Sequence, residues 1–132
     1  MGTLHIIVEK TDYGFSAYIE EVPGCVTVGT SLSEIKKNMK EAVALHLEGM
    51  IEEKEAIPKV LSGNYKMEIQ LDVHQLFTYF KELNASAIAK RIKMNDSLLR
   101  QYIIGKKNPS EKQSLKILSG VREFGRDLMA LG

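Results

Sequence analysis

The side chains with the strongest potential for chemistry lie between residues 96 and 107 of the 132-residue chain. If Leu99 and Tyr102 face the interior of a helix, four polar positions face outward: Asp96, Ser97, Arg100 and Gln101. Arginine can bind guanine through two hydrogen bonds and glutamine can bind adenine, so this set suits base recognition in the major groove. Other basic residues are placed to contact phosphate oxygens without reading sequence: Lys90, Arg91, Lys93, Lys106 and Lys107. The pattern predicts a DNA-binding surface. Asp96 counts slightly against it, because DNA repels a carboxylate that does not accept a hydrogen bond from cytosine.

Catalytic and metal-binding chemistry have little support in the sequence. Two-metal phosphoryl transfer needs carboxylates that converge on ions ~3.5–4 Å apart, and the spacing of Glu9, Glu20 and Glu21 does not make them converge. No histidine pair or cysteine–histidine cluster has the spacing of a zinc site. The single cysteine, Cys25, lies at a glycine-rich turn without an activating partner and is expected to be structural. We therefore expect no enzyme activity, no metal ion and no cofactor.

The outward-facing residues depend on two helices joined by a short turn. Ala89 supplies the small residue that such a pair needs where its helices touch, and apolar residues surround that contact: Ile88, Ile92, Met94, Leu99 and Tyr102. Asn95 is suited to cap the second helix and Gly105 to end it. Ser110 then predicts the start of a last helix, whose apolar stripe is Leu115, Ile117, Leu118, Val121, Phe124 and Leu128.

This region resembles the Xre/Cro-like class of helix-turn-helix domains over roughly residues 73–131. The likeness lies in the buried positions of the two helices and in the Gly-Lys-Lys-Asn-Pro-Ser run of residues 105–110. Lys93 departs from the pattern, because it occupies the turn position usually filled by glycine, although lysine adopts a left-handed conformation at modest cost. The resemblance implies a DNA-binding domain over residues 72–132. The alternative is an all-α domain that only assembles with itself.

The first half has the alternating pattern of β-strands. Residues 4–8 and 15–19 predict two strands joined at Tyr13-Gly14, and residues 26–28 predict a short third strand ending at Gly29. Residues 67–71 predict a fourth strand, after a loop or frayed helix end over residues 51–65.

One helix is predicted between the third and fourth strands. It opens on the capping-box spacing of Ser31 and Glu34, and its apolar stripe is Leu32, Ile35, Met39, Ala42, Val43, His46 and Met50. A second capping-box spacing, Asp72 and Gln75, opens a helix of the second half, with a stripe at Val73, Leu76, Phe77, Phe80 and Leu83. The predicted fold class is α+β, with a β-β-β-α-β sheet followed by an all-α domain.

The sheet half resembles the N-terminal domain of HicB-type antitoxins over roughly residues 3–71. The residues that carry the likeness are Gly14-Phe15-Ser16-Ala17, the run from Pro23 to Thr30, and Glu34, Asn38 and Ala42 at four-residue steps. The resemblance implies a partial ribonuclease-H-like fold that has lost its enzyme chemistry and binds a HicA-type toxin, a small basic ribonuclease.

The overall charge of +1 conceals two halves of opposite sign. Residues 1–71 contain seven lysines and arginines against eleven acidic residues, a net charge of −4. Residues 72–132 contain eleven against six, a net charge of +5. An acidic domain over residues 1–71 suits a basic protein partner, and the basic domain suits nucleic acid.

Two functions are favoured by the sequence, and a third, a residual nuclease of the sheet domain, is disfavoured because Glu9 and Glu20 are not placed to converge. The first is an antitoxin that neutralises a HicA-type mRNA-cleaving toxin and represses its own operon, binding operator DNA as a homodimer or higher even oligomer. The alternative is an orphan transcriptional regulator whose N-terminal domain dimerises or senses a ligand. No apolar run approaches the ~18 residues of a membrane span. The first residues lack a basic region followed by a long apolar stretch, so we expect no secretory signal, and Cys25 is the single cysteine. We therefore expect a cytoplasmic protein with no membrane partner.

Overall fold

The computed structural model describes residues 2–132 and divides into two compact units, one ending at Gln70 and one spanning Leu71–Gly132. The first unit contains β1 (Gly2–Thr11), β2 (Gly14–Ile19), β3 (Val26–Gly29), α1 (Leu32–Glu52), a 3-10 turn (Lys59–Leu61) and β4 (Tyr65–Ile69). The second contains α2 (Val73–Tyr79), α3 (Ala85–Arg91), α4 (Asp96–Ile103) and α5 (Glu111–Met129). The α+β class and the strand–helix order of the first unit are confirmed.

The four strands form one sheet in the order β3-β2-β1-β4, in which β1 pairs antiparallel with β2 and parallel with β4. Side chains alternate between the faces of a strand, and Leu4, Ile6 and Val8 of β1 are buried on one face. The buried stripe of α1 packs on that face through Ile35, Met39 and Val43. The opposite face, here called the open face, carries the alternate side chains of the four strands: Thr3, His5, Ile7, Glu9, Ser16, Tyr18, Val26, Val28, Lys66 and Glu68.

The start of α1 differs in one detail from the prediction. Ser31 caps the helix as expected, because its Oγ accepts a hydrogen bond from the backbone N–H of Glu34 at 3.1 Å. The predicted reciprocal bond, from the backbone N–H of Ser31 to the Glu34 side chain, is wrong. The Glu34 carboxylate instead accepts hydrogen bonds from Thr30, from its backbone N–H at 3.2 Å and its hydroxyl at 3.0 Å. Asp72 and Gln75 do form both halves of the predicted box at the start of α2.

The second unit buries one cluster of side chains contributed by all four helices: Val73, Phe77, Ile88, Ala89, Ile92, Leu99, Tyr102 and Ile117. The predicted stripe of α2 extends too far, since the helix ends at Phe80 and Leu83 lies in the connection to α3. Two members of the predicted α5 stripe, Leu115 and Leu128, are also exposed. Gly120 is buried in their place, because α5 passes close to Ile92 at that point. Among the described helices, none combines the length and the hydropathy needed to cross a membrane.

Candidate functional site

The turn between α3 and α4 is a Schellman motif, the hydrogen-bonded end common to many helices. Lys93 adopts a left-handed conformation with φ of 55°, as its position in the turn predicted. The backbone N–H of Met94 donates to Ala89 at 2.9 Å, and that of Lys93 donates to Lys90 at 3.2 Å. Met94 packs against the buried cluster of the second unit. The turn therefore has the backbone geometry of a glycine turn, although a lysine occupies it.

Caps at both ends fix the length of α4. Asn95 accepts a hydrogen bond from the backbone N–H of Leu98 at 3.1 Å, which confirms the predicted N-cap. Gly105 ends the helix with φ of 79°, again as predicted. The backbone N–H groups of Lys106 and Lys107 both donate to the Gln101 carbonyl, at 2.9 and 3.2 Å. The backbone of the basic exit loop is thus tied to the last turn of α4.

Three of the predicted base-contacting residues of α4, Asp96, Ser97 and Arg100, are exposed. The structure joins two of them, because Arg100 Nε donates to Asp96 Oδ1 at 3.2 Å in an i,i+4 ion pair. Arg100 Nη2 also donates to the Ser86 hydroxyl at 2.7 Å. Ser86 in turn donates to the Asp96 carboxylate at 3.2 Å. The guanidinium is held by one residue of α3 and one of α4.

Gln101 is half-buried rather than fully exposed. Its Nε2 donates weakly to Ser97 Oγ at 3.5 Å. Its Oε1 is buried, and no hydrogen-bond partner for it exists among residues 2–132. A buried carbonyl without a partner is costly, so the amide gains hydrogen bonds if the side chain swings outward to a polar ligand.

The predicted phosphate-contacting lysines are exposed: Lys90, Lys93, Lys106 and Lys107. Within the described part of the chain, none of them forms an ion pair. Arg91 differs, because it pairs with Glu123 at 2.9 Å and Asp127 at 3.1 Å and lies 5.5 Å from the centre of the Phe124 ring. Arg91 joins α3 to α5, whereas the four lysines keep their charges available to a polyanion.

Ser86 is the residue of this region that sequence reasoning missed. Its position in the first turn of α3 gave no sign that it would meet Arg100, which is 14 residues away in sequence. The Asp96–Arg100 contact did have a signal, since the two residues are four apart on a helix and carry opposite charges.

The first unit contains a group of titratable residues, His5, Glu20 and Glu21, whose proximity was not predicted from the sequence. Ligand atoms of His5, Glu20 and Glu21 lie within 4.8 Å of one another. The sequence predicted no convergence of Glu9, Glu20 and Glu21, and this group brings Glu20 and Glu21 together with His5 but does not include Glu9. His5 Nδ1 and the Glu21 carboxylate form a short hydrogen bond. Glu21 also accepts from the His5 backbone N–H at 2.8 Å. The group is organised around this internal pair.

The His5–Glu21 pair shifts both pKa values toward the charged forms. The hydrogen bond to Glu21 raises the pKa of His5 against a smaller opposing effect of desolvation, and nearby glutamates add to the rise. Partial burial by itself would raise the pKa of Glu21, but hydrogen bonds from His5 lower it overall. Elsewhere in this unit, burial raises the pKa of the Cys25 thiol, which disfavours the reactive thiolate.

The chain matches a family model described as HicB-like antitoxin of bacterial toxin-antitoxin system over residues 4–107. It is 44% identical over 54 residues to an uncharacterized 14.9 kDa protein of Haemophilus phage HP1, a match that covers 41% of each chain. It is 36% identical over 44 residues to a UPF0150 protein of Helicobacter pylori, covering 33% of this chain and 61% of the relative. The chain therefore aligns with less than two thirds of either relative.

Among solved structures, a chain described as part of a HicA3 and HicB3 toxin-antitoxin complex is similar. It is 29% identical with a TM-score of 0.39, and the match covers 58% of this chain and 81% of that one. The family model extends from β1 through α4 to the exit loop at Lys107 and spans most of the protein. The chain therefore belongs to the HicB-like antitoxin family of bacterial toxin-antitoxin systems.

Proposed function

We propose that the chain neutralises a HicA-type mRNA-cleaving toxin with its sheet unit and represses its own operon with α3 and α4. The observation that carries this proposal is the extent of the family match, because residues 4–107 include both the sheet unit and the two helices with their basic exit loop. The net charges support the same division, since a −4 unit suits a basic toxin and a +5 unit suits DNA. The matched family model describes an antitoxin and not an enzyme, in line with the expectation of no enzyme activity.

The proposed DNA contact places α4 in the major groove. Arg100 is then the base-reading residue, and the four unpaired lysines bind phosphates on either side. A palindromic operator requires a two-fold protein, so we expect a homodimer or a higher even oligomer. Exposed apolar residues at and just beyond the end of α5 support self-association: Leu128, Met129 and Leu131. Light scattering of the purified protein measures the oligomeric state.

Arg100 and Lys106 provide the test of sequence-specific binding. The full-length protein is titrated onto a fluorescent duplex from its own promoter and onto a random duplex of equal length, between 50 and 200 mM salt. We expect Arg100→Ala to cost ~1–3 kcal/mol on the promoter and much less on random DNA. Lys106→Ala should weaken binding to both duplexes and reduce the salt slope by about 1.

Lys36→Ala is the matched control, because it removes the same charge from α1 in the other unit. Equal losses on promoter and random DNA for Arg100→Ala would contradict base reading by α4.

The proposed binding of a toxin is tested by co-expression with the adjacent reading frame. A small basic protein that co-purifies in a defined ratio supports the antitoxin, and the lack of such a neighbour would favour an orphan regulator.

A further inference from the structure

We propose that the open face of the sheet is the surface on which the basic toxin docks. The inference rests on the proposed function and adds the place of contact, which neither the family match nor the charge of the unit specifies. The open face lies opposite α1, so toxin binding there leaves the packing of α1 on the sheet intact.

The strand register places apolar side chains next to one another on this face. Ile7 lies opposite Tyr18, and Tyr18 lies opposite Val26. Tyr18 is 45% exposed, and Val26 and Val28 are each 67% exposed. Such residues usually face a core when they occur in strands, because burial of each contributes about 1.5–3 kcal/mol. Contiguous exposed apolar patches are typical of surfaces that bind a protein, a membrane or a ligand, and the charges around this one select among them.

The patch has a shape that can receive side chains. A shallow depression of about 420 Å³ lies over β2 and β3 and is lined by Glu9, Ser16, Tyr18, Val26 and Val28, with Ala17 and Thr27 below. The outer edge of β3 is less available, because Asn38 Nδ2 donates to the Val28 carbonyl at 2.8 Å. Strand addition at that edge would have to break this bond, so we place the partner on the face.

Acidic residues lie along the β1 and β4 side of the patch and indicate the kind of partner. Glu9 is an exposed part of the lining of the depression, and Glu68 of β4 lies opposite His5. Glu20 follows the end of β2, and its carboxylate is within 4.8 Å of a ring nitrogen of His5. Lys66 donates to Glu68 at 3.0 Å and lowers the pKa of that carboxylate, so the two opposite charges largely offset each other and Glu9 and Glu20 carry the acidic character. Lys66 is the one lysine or arginine that the described strand register places on this face. An apolar centre with an acidic rim complements a basic protein surface.

The same charges disfavour a second copy of this chain as the occupant. Two open faces brought together would place their acidic rims against each other, and like charges across an interface cost several kcal/mol. A small basic protein removes that repulsion and covers the exposed valines. We therefore commit to the toxin, and self-association through this face becomes an outcome of the test.

The experiment measures the affinity of the full-length protein for the small basic protein encoded beside it. Val28→Lys replaces an exposed valine of the open face with a positive charge. Its matched control is Leu45→Lys, which makes the equivalent change on α1 at a leucine that is 69% exposed. We expect Val28→Lys to weaken toxin binding at least 30-fold, a conservative bound for a charge at an apolar interface centre (about 2 kcal/mol). Leu45→Lys should change it less than about threefold.

A second pair of variants keeps the test valid if Val28→Lys unfolds the sheet. Glu9→Lys reverses a rim charge, and Glu41→Lys makes the same reversal on exposed α1. Glu9→Lys should weaken binding and flatten its salt dependence, whereas Glu41→Lys should have a smaller effect on both. The inference is overturned if the open-face variants bind the toxin as tightly as their α1 controls. It is also overturned if Val28→Lys alters only the oligomeric mass measured by light scattering. Absence of binding by the unmodified protein would overturn the proposed function itself, before any variant is compared.

Discussion

Gly120 should tolerate no larger side chain, although it lies within a helix. A Cβ added at this position would lie 2.1 Å from Ile92 Cγ2, far inside the ~3.5–4.0 Å at which carbon atoms make favourable contact. Ile92 is itself a buried member of the core of the second unit, so it has no solvent space to move into. Gly125 lies in the same helix, and a Cβ built there meets nothing within 4 Å.

Replacement by alanine should therefore change the stability of the second unit in opposite directions at Gly120 and Gly125. Alanine favours a helix over glycine by about 1 kcal/mol, and overpacking a filled core costs about 1–3 kcal/mol. The overlap with Ile92 is severe, so we take the upper end of that range. Gly120→Ala should then destabilise the second unit by about 2 kcal/mol, whereas Gly125→Ala should stabilise it by about 0.5–1 kcal/mol.

Native-state hydrogen exchange of the amides of α3 and α5 measures the stability of this unit without interference from the sheet unit. Ile92→Ala provides the control, since it removes the Cγ2 that the new methyl group strikes. In the Ile92→Ala background, Gly120→Ala should lose its cost of about 2 kcal/mol and become neutral or stabilising by up to about 1 kcal/mol, a coupling of about 2–3 kcal/mol. If Gly120→Ala proves as stable as Gly125→Ala, the close approach of α5 to Ile92 is refuted.

Lys93→Gly should stabilise the second unit by about 0.5–1 kcal/mol. Glycine removes the strain of the left-handed φ of 55°, and this gain exceeds the loss caused by the greater conformational freedom of glycine in the unfolded chain. Lys90→Gly, inside α3, should destabilise it by about 1 kcal/mol in the same exchange measurement, and equal effects of the two would contradict the turn geometry. The His5–Glu21 pair should make stability pH-dependent with a maximum between the two ordinary pKa values. The raised pKa of His5 contributes stability that is complete below about 6.5 and is lost as the pH rises through the folded value. The lowered pKa of Glu21 contributes stability that is complete above about 4.5 and is lost as the pH falls through the folded value. The difference in stability between the unmodified protein and Glu21→Gln should thus be largest near pH 5–6 and smaller at pH 8, and a difference independent of pH would exclude the ion pair.

Local signals in the sequence were sufficient for the elements but not for every contact. Ser31 and Asp72 were both predicted as caps from the same spacing, and both are caps. Only Asp72 forms the reciprocal box, because Thr30 offers the Glu34 carboxylate two donors that a pattern of residues 31 and 34 does not include. A spacing rule identifies one partner of a side chain, and the final choice depends on all donors within reach.

Periodicity also misjudged α5 for a physical reason. Counting apolar residues favoured Leu115 and Leu128, yet both are exposed and the helix packs tightly against Ile92, the C-cap of α3, at Gly120. Gly120 allows this contact because it has no side chain to separate the helix from Ile92. A search for regularly spaced apolar side chains does not detect such a position. The open face shows the converse, since the alternation of β1 predicted one better-buried face but not whether any element would cover the other.

The structure changes the interpretation of Asp96 with respect to DNA binding. From the sequence, its carboxylate counted slightly against DNA binding, because it stands on the outward side of α4. In the structure, it accepts from Arg100 Nε, while Nη2 bonds Ser86. A guanidinium can bind guanine through two of its N–H groups. If α4 enters the groove as proposed, Arg100 can keep its Asp96 bond and exchange only the Ser86 contact for the base. The Arg100 charge then offsets part of the repulsion between the Asp96 carboxylate and DNA. The ion pair also restricts the arginine side chain before binding, so less conformational entropy is lost when the base is bound.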